Sequence, residues 1–165
     1  AKHCVQVISQ DVDPVAVESN YRQLKKQPPN NMLPLIQNLF TPSPAIGWGN
    51  AERDSFVQRA QCDALLALAL IHHIAISNNV PLEDIAKLFS RLTPWLIIEF
   101  VPKSDSQVKR LLATREDIFP NYTELGFEQS IQHHFSIEKK QHVEGSERTL
   151  YLLKRHGETA GREQG

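Results

Sequence analysis

Two short apolar runs separated by an amphipathic segment constrain the fold of this chain more than any other feature. Residues 65–71 and residues 95–98 each have the length and composition of one buried strand. Between them, residues 82–92 place apolar side chains at the spacing of one helix face. The pattern predicts strand, helix and strand in succession, which is the unit that builds a parallel sheet.

Polar side chains follow each of these predicted strands. His72 and His73 come directly after the first strand, and Glu99 comes directly after the second. In open α/β sheets, ligands bind outside the carboxyl ends of the strands. We therefore expect these three residues to mark the functional site.

Length, charge and composition narrow the class of protein. The chain has 165 residues, a net charge of −1 and no basic block, which does not favour nucleic acid as a partner. No apolar run approaches the length of a membrane span, and Cys4 and Cys62 alone make no disulfide framework. We expect a soluble, cytoplasmic protein with no membrane contact, folded as one domain over residues 1–155 and followed by a disordered tail at residues 156–165.

The N-terminal segments continue the alternation of strands and helices. Residues 4–8 have strand character, Asp13 before a proline is typical of a helix start, and residues 32–36 predict a second strand. The prolines and glycines of residues 41–49 predict a loop. Its apolar members, including Trp48, are expected to pack against the protein.

The C-terminal part predicts a different kind of pairing. Residues 135–140 and 148–153 read as two strands whose connection is too short for a crossover helix, so they are expected to be antiparallel. Further helices are predicted at residues 52–60, 107–113 and 123–133. Together, these elements predict an α/β fold, a Rossmann-like doubly wound sheet with a C-terminal antiparallel hairpin.

Three of these segments, in their order and spacing, resemble the class I S-adenosylmethionine-dependent methyltransferases. Residues 7–14 are similar to the second strand of that family, which ends in an acidic residue. Residues 63–73, an aspartate followed by an apolar run and two histidines, are similar to its fourth strand. The terminal hairpin is similar to the strands that distinguish the family from nucleotide-binding dehydrogenases. The resemblance covers residues 4–155.

The resemblance implies an incomplete methyltransferase fold. The first strand of the family and its glycine-rich loop would precede Ala1, so this chain is expected to be impaired in cofactor binding. Because that strand lies in the middle of the family's sheet, its absence is expected to leave two strand edges open. We expect a second copy of the chain, in a homodimer, or a reordered sheet to close the gap.

The resemblance also implies which residues contact the cofactor, S-adenosylmethionine. They are Asp11, Val12, Asn38, Leu39 and Leu70. Asp11 is expected to accept hydrogen bonds from the ribose hydroxyls, and a role in a turn or a cap is the alternative. Asn38 is expected to meet the adenine amino group, and a bond to its own loop is the alternative.

His72 and His73 are the candidate catalytic residues. An imidazole titrates near neutrality and can act as a general base. For either histidine, a packed and hydrogen-bonded structural role is the alternative. Because neighbours on a strand face opposite sides, both can line one pocket only if the strand has already ended.

Glu99 and Trp48 are the candidates for substrate binding. Glu99 follows a buried strand, and a salt bridge to Lys103 or Arg115 is the alternative to a substrate contact. Trp48 is a candidate for a lid over the adenine side, and packing against the sheet edge is the alternative.

These features imply methyl transfer to a small-molecule or protein acceptor that the sequence does not identify. The Asn/Asp-Pro-Pro-aromatic turn of amino-methylating family members is absent after residue 71, which argues against adenine and glutamine as acceptors. No spacing of cysteine, histidine and aspartate predicts a metal site. The alternative function is a non-catalytic interaction domain that retains the methyltransferase fold.

Overall fold

The computed structural model describes residues 3–26 and 31–157, and the chain divides into two compact units, Ala1–Phe56 and Val57–Gly165. From position 158 onward, the predicted tail lies outside the described residues. Within the described ranges, no helix combines the length and the apolar character needed to cross a membrane.

A parallel pair of strands forms the sheet of the first unit. Strand β1 (Val7–Asp11) pairs in parallel with strand β2 (Met32–Ile36), and helix α1 (Pro14–Lys25) lies between them in sequence. The predicted strand, helix and strand are therefore present. Strand β1 begins at Val7 rather than at residue 4, and Val5 before it is exposed.

The start of α1 follows from its capping residue. The Asp13 side chain accepts a hydrogen bond from Val15 N at 2.9 Å, and Pro14 supplies the first helical residue. This bond satisfies one of the amide groups that the first turn of a helix leaves without a partner. The predicted N-cap is confirmed.

A four-stranded mixed sheet forms the second unit. Its strands are β3 (Ala64–Ala67), β4 (Trp95–Phe100), β5 (Phe135–His142) and β6 (Thr149–Arg155). The order across the sheet is β3-β4-β6-β5, with β3 parallel to β4 and β6 antiparallel to both of its neighbours. The parallel pair and the antiparallel terminal hairpin are both as predicted.

Helices flank these strands in sequence. They are α2 (Phe56–Arg59), α3 (Leu82–Leu92), α4 (Ser106–Leu112) and α5 (Glu124–Gln132). Helix α3 has the bounds that its apolar spacing predicts. Helix α2 is a single turn, shorter than the predicted segment of residues 52–60.

The core of the second unit is built on β4. Leu96, Ile98 and Phe100 alternate along this strand and are buried. The Phe100 ring lies 5.3 Å from the Phe127 ring of α5, which in turn lies 5.0 Å from the Tyr151 ring of β6. Burial of each large apolar side chain stabilises the fold by about 1.5–3 kcal/mol. This packing holds the carboxyl ends of β3 and β4 on a rigid base.

Strands β3 and β4 end at positions different from those predicted. Strand β3 ends at Ala67 rather than at residue 71, because Ala69 adopts a positive φ of 49° and turns the chain. Ile71 lies at the start of a helical segment that continues into a π-helical turn, His73–Ser77, and its side chain is buried. An apolar run cannot by its pattern distinguish a strand from a buried helix start. Strand β4 runs on to Phe100, so Glu99 lies inside it.

Each sheet leaves strand edges open within its own unit. Among the described residues, β3 pairs only with β4, and β1 pairs only with β2. Leu66 of β3 is 63% exposed, and Ile8 of β1 is 50% exposed. Open apolar edges of this kind favour pairing with another chain or segment. Their closure by a second copy or by a reordered sheet stays a prediction.

Candidate functional site

The first unit brings Asp11 and Asn38 to the same end of its sheet. Asp11 ends β1, and its carbonyl oxygen accepts a hydrogen bond from Gln37 N at 3.0 Å, one residue before Asn38. Each side chain also closes its own turn: Asp11 Oδ1 accepts from Asp13 N at 2.9 Å, and Asn38 Oδ1 accepts from Phe40 N at 2.9 Å. The local roles that the sequence left open are therefore present, and each uses one oxygen of the side chain.

The apolar residues expected at the cofactor lie next to turns: Val12 follows Asp11, Leu39 follows Asn38, and Leu70 follows the turn at Ala69. Val12 is exposed, whereas Leu39 and Leu70 are half-buried. Accessible apolar side chains next to strand ends can pack against a ring system. Their contact with a cofactor stays a prediction.

Trp48 stands at the tip of an ordered loop and is 92% exposed. The loop is closed by an antiparallel bridge between Ile46 and Arg53, and Gly47 and Gly49 adopt φ values of 89° and 63°. Within the described residues the indole does not pack on the protein, so the predicted packing of Trp48 against the sheet edge is wrong. The glycines turn the backbone so that the ring faces outward.

In the second unit, the two candidate catalytic histidines follow the turn after β3 and differ in burial. His72 is 1% exposed, whereas His73 is exposed, and their ring centroids lie 4.2 Å apart. The Leu70 carbonyl accepts hydrogen bonds from His73 N at 3.0 Å and Ile74 N at 3.2 Å, which begins the helical segment. Neighbours on a helix point about 100° apart, so one imidazole enters the core while the other faces outward. π-Helical turns such as this one occur frequently at functional sites.

The environment of His72 keeps its imidazole neutral. The pKa of His72 is lowered to about 4, mainly by burial and also by the charges of His73 and Arg148, while Asp105 partly opposes this shift. Its Nδ1 is buried and has no hydrogen-bond partner in the part of the chain that the structure describes. A general base is most effective when its pKa lies near the working pH. The accessible His73 is therefore the better placed of the two to contact a reacting group.

Glu99 holds the turn that precedes the histidines. Its Oε2 accepts a hydrogen bond from Ala69 N at 2.7 Å and lies 3.4 Å from Arg148 Nη1. The predicted salt bridges of Glu99 to Lys103 or Arg115 are wrong, because Lys103 pairs with Asp117 at 2.7 Å and Arg115 donates to the Ile76 carbonyl. Glu99 pairs instead with Arg148, which directly precedes β6, the strand that the sheet order places beside β4.

Arg148 and Asp105 complete the site, and the sequence did not point to either of them. Arg148 Nε donates to Asp105 Oδ2 at 2.8 Å, and Asp105 Oδ1 caps α4 by accepting from Gln107 N at 2.8 Å. The hydrogen bond from Arg148 lowers the pKa of Asp105, and Asp105 in turn raises the pKa of Arg148. The capping position of Asp105 before α4 was a usable signal, but its pairing with a residue 43 positions away was not.

Among residues 3–26 and 31–157, no group of three or more histidine, cysteine, aspartate or glutamate side chains is arranged to hold a metal ion.

Comparison with known proteins relates the chain to one curated relative. No family model matches the sequence. The chain is 43% identical over 145 residues to the nodulation protein NoeA of Rhizobium meliloti (strain 1021). The match covers 88% of this chain but only 30% of NoeA, so the chain spans less than a third of that relative's length.

Solved structures share the fold at low sequence identity. A Sulfolobus solfataricus protein described as a type 11 methyltransferase matches 99% of this chain and 79% of its own, with a TM-score of 0.55 and 12% identity. The PH0226 protein of Pyrococcus horikoshii OT3 matches 92% and 74%, with a TM-score of 0.53 and 11% identity. A Bordetella parapertussis protein described as exported matches 92% and 54%, with a TM-score of 0.55 and 14% identity. The chain therefore has a mixed α/β, methyltransferase-like fold.

Proposed function

We propose that this chain works as part of an S-adenosylmethionine-dependent methyltransferase. The observation that carries the proposal is the order of the four-stranded sheet, in which the antiparallel β6 lies between β4 and β5. The fold likeness to a type 11 methyltransferase, over 99% of this chain, supports it. Fold alone does not establish function. The side chains at the ends of β1 and β3 must therefore also be able to bind a cofactor and a methyl acceptor.

The residues at the end of β1 fit a cofactor that carries a ribose. Asp11 is exposed and uses Oδ1 for its turn, and a carboxylate has lone pairs for several further donors. Asn38 uses its Oδ1 in the same way. When bound, S-adenosylmethionine would supply a methyl group activated by its sulfonium. Asp11 would hold the ribose, and Asn38 with Leu39 would contact the adenine.

The end of β3 would serve the methyl acceptor. Methyl transfer needs an oriented acceptor as well as a bound donor. His73 is accessible and would contact the acceptor. The neutral, buried His72 would pack against the His73 ring. Among the described residues, the contacts of Glu99 use Oε2, and Oε1 would orient an acceptor that donates a hydrogen bond. The acceptor, a small molecule or a protein, is not identified.

The test is calorimetric titration of the full natural polypeptide with S-adenosylhomocysteine, the demethylated product. Asp11→Ala should weaken binding about tenfold or more, because two hydrogen bonds to the ribose are lost. Asp13→Ala is the matched control. It lies two residues away and caps α1, so it should lower stability and leave the affinity unchanged. Equal affinity of the Asp11 variant and the wild type would exclude Asp11 as the ribose ligand.

A non-catalytic interaction domain is the second candidate. The observation in its favour is that Asp11 and Asn38 already satisfy their own turns, so these loops are ordered without a ligand. If the full natural polypeptide is folded but binds neither S-adenosylmethionine nor its product, this candidate replaces the first.

A further inference from the structure

The turn between β3 and the histidines contains a residue in an unfavourable conformation. Ala69 has a φ of 49°, in the left-handed region where a Cβ crowds the following carbonyl group. Glycine and asparagine adopt this region readily, and alanine rarely does. An alanine persists there only where its surroundings hold it.

The Glu99 carboxylate holds this conformation. Ala69 donates its amide to Glu99 Oε2 at 2.7 Å, a short bond to a charged acceptor. The Glu99 side chain is 13% exposed, so water competes little for that oxygen. The same turn presents the Leu70 carbonyl that starts the helical segment of His72 and His73. The orientation of His73 therefore follows from the backbone at Ala69.

Arg148 holds Glu99 in turn. Its guanidinium contacts Glu99 Oε2 through Nη1 at 3.4 Å and Asp105 through Nε at 2.8 Å and Nη2 at 3.4 Å. Three nitrogens of one rigid, planar group thus join β4 to the N-terminus of α4. A lysine has one ammonium on a flexible stem and cannot make the same three contacts.

We propose that Arg148, anchored by Asp105, is a positioning residue that fixes Glu99 on the Ala69 amide and thereby sets the direction of His73. The meaning of this arrangement for methyl transfer rests on the proposed function. The geometric part does not, because the conformation of Ala69 can be measured without cofactor or substrate.

The experiment measures hydrogen exchange and chemical shift at the Ala69 amide in the full natural polypeptide. Arg148→Lys keeps the charge and loses the planar fork. It should make the Ala69 amide exchange about tenfold faster or more, because its bond to a charged group is weakened. The His73 ring resonances should shift as well. Amides of α5, such as that of Phe127, should keep the exchange rates of the wild type.

Lys103→Met is the matched control. It removes the Lys103–Asp117 ion pair, which lies outside this network, so the Ala69 and His73 signals should stay unchanged. Ala69→Gly in the Arg148→Lys background should restore the His73 resonances, because glycine adopts the left-handed conformation without help. If Arg148→Lys folds poorly, Glu99→Gln serves as the second variant, since it weakens the pairing with Arg148 while keeping an acceptor for Ala69.

The outcomes separate the two proposals. Unchanged Ala69 exchange and unchanged His73 resonances in Arg148→Lys would overturn the positioning role. Failure of the glycine rescue would also overturn it, because the strain at Ala69 would then not be what Arg148 counteracts. A changed Ala69 amide in a protein that binds no cofactor would support the positioning role and contradict only the proposed function.

Discussion

Acidification is predicted to destabilise the second unit through His72. Burial, together with the charges of His73 and Arg148, lowers the pKa of His72 from 6.5 to about 4. Because the folded pKa lies below the unfolded one, the unfolded chain binds a proton as the pH falls through 6.5 while the folded chain stays neutral down to about 4. At about 1.4 kcal/mol per pKa unit, this difference costs about 3 kcal/mol of stability, lost between about pH 7 and pH 4.

Urea unfolding of the chain at a series of pH values measures this loss. The exposed Trp48 is changed to phenylalanine in every variant, so that Trp95 on β4 is the sole tryptophan and reports the second unit. His72→Phe keeps a ring in the core and cannot titrate. The parent is the protein that carries only Trp48→Phe. Between pH 7 and pH 4, the free energy of unfolding of the His72→Phe variant should therefore fall by about 3 kcal/mol less than that of the parent. Carboxylates that do not interact with His72 contribute equally to both proteins and cancel in the comparison.

His73→Gln is the control for this experiment. It removes the exposed neighbouring ring and keeps His72, so most of the acid sensitivity should remain, reduced by the share that the charge of His73 contributes. Parallel loss of stability in the parent and in His72→Phe would refute the reasoning, because His72 would then not be held neutral by its burial.

Two further substitutions test the packing of α5. Gly126→Ala should lower the melting temperature, because the new Cβ would overlap with the carbonyl oxygen of Asn121. Helix propensity alone would instead add about 1 kcal/mol of stability. Tyr151→Phe should cost about 1.5–3 kcal/mol in urea unfolding, since its hydroxyl lies 2.8 Å from Glu124 Oε1 and 2.7 Å from Glu128 Oε1.

Matched variants decide how each result is understood. Gln129→Ala lies on the exposed side of the same helix and should leave the melting temperature unchanged or slightly raised. A rise in the Gly126→Ala variant would show that the Asn121 backbone gives way. Tyr122→Phe loses a bond to the neutral Val101 carbonyl and should cost less than Tyr151→Phe. An equal or larger cost would contradict a charge-assisted role for Tyr151.

Local chemistry is sufficient to predict several elements of the fold. The bounds of α3 follow from apolar side chains spaced to cover one helix face, and the start of α1 follows from an aspartate followed by a proline. The antiparallel β5 and β6 follow from a connection too short for any other pairing. In each case neighbouring residues carry the whole signal, so distant contacts were not needed.

Contacts between distant segments decided the rest. The apolar run of residues 65–71 is compatible with a strand throughout. In the structure β3 ends at Ala67, and the chain turns at Ala69, whose amide bonds to Glu99 30 positions away. The pairing of Glu99 with Arg148 depends on β6 lying beside β4, which no local pattern states.

By itself, the sequence determined the order of the strands, the bounds of α3 and the start of α1, because periodicity and capping are local properties. Only the tertiary structure decided that His72 is buried and His73 exposed, and that Arg148 serves Glu99. The physical reason is that a side chain's burial and charge partners are set by whichever elements pack against it. Those neighbours come from parts of the chain far away in sequence.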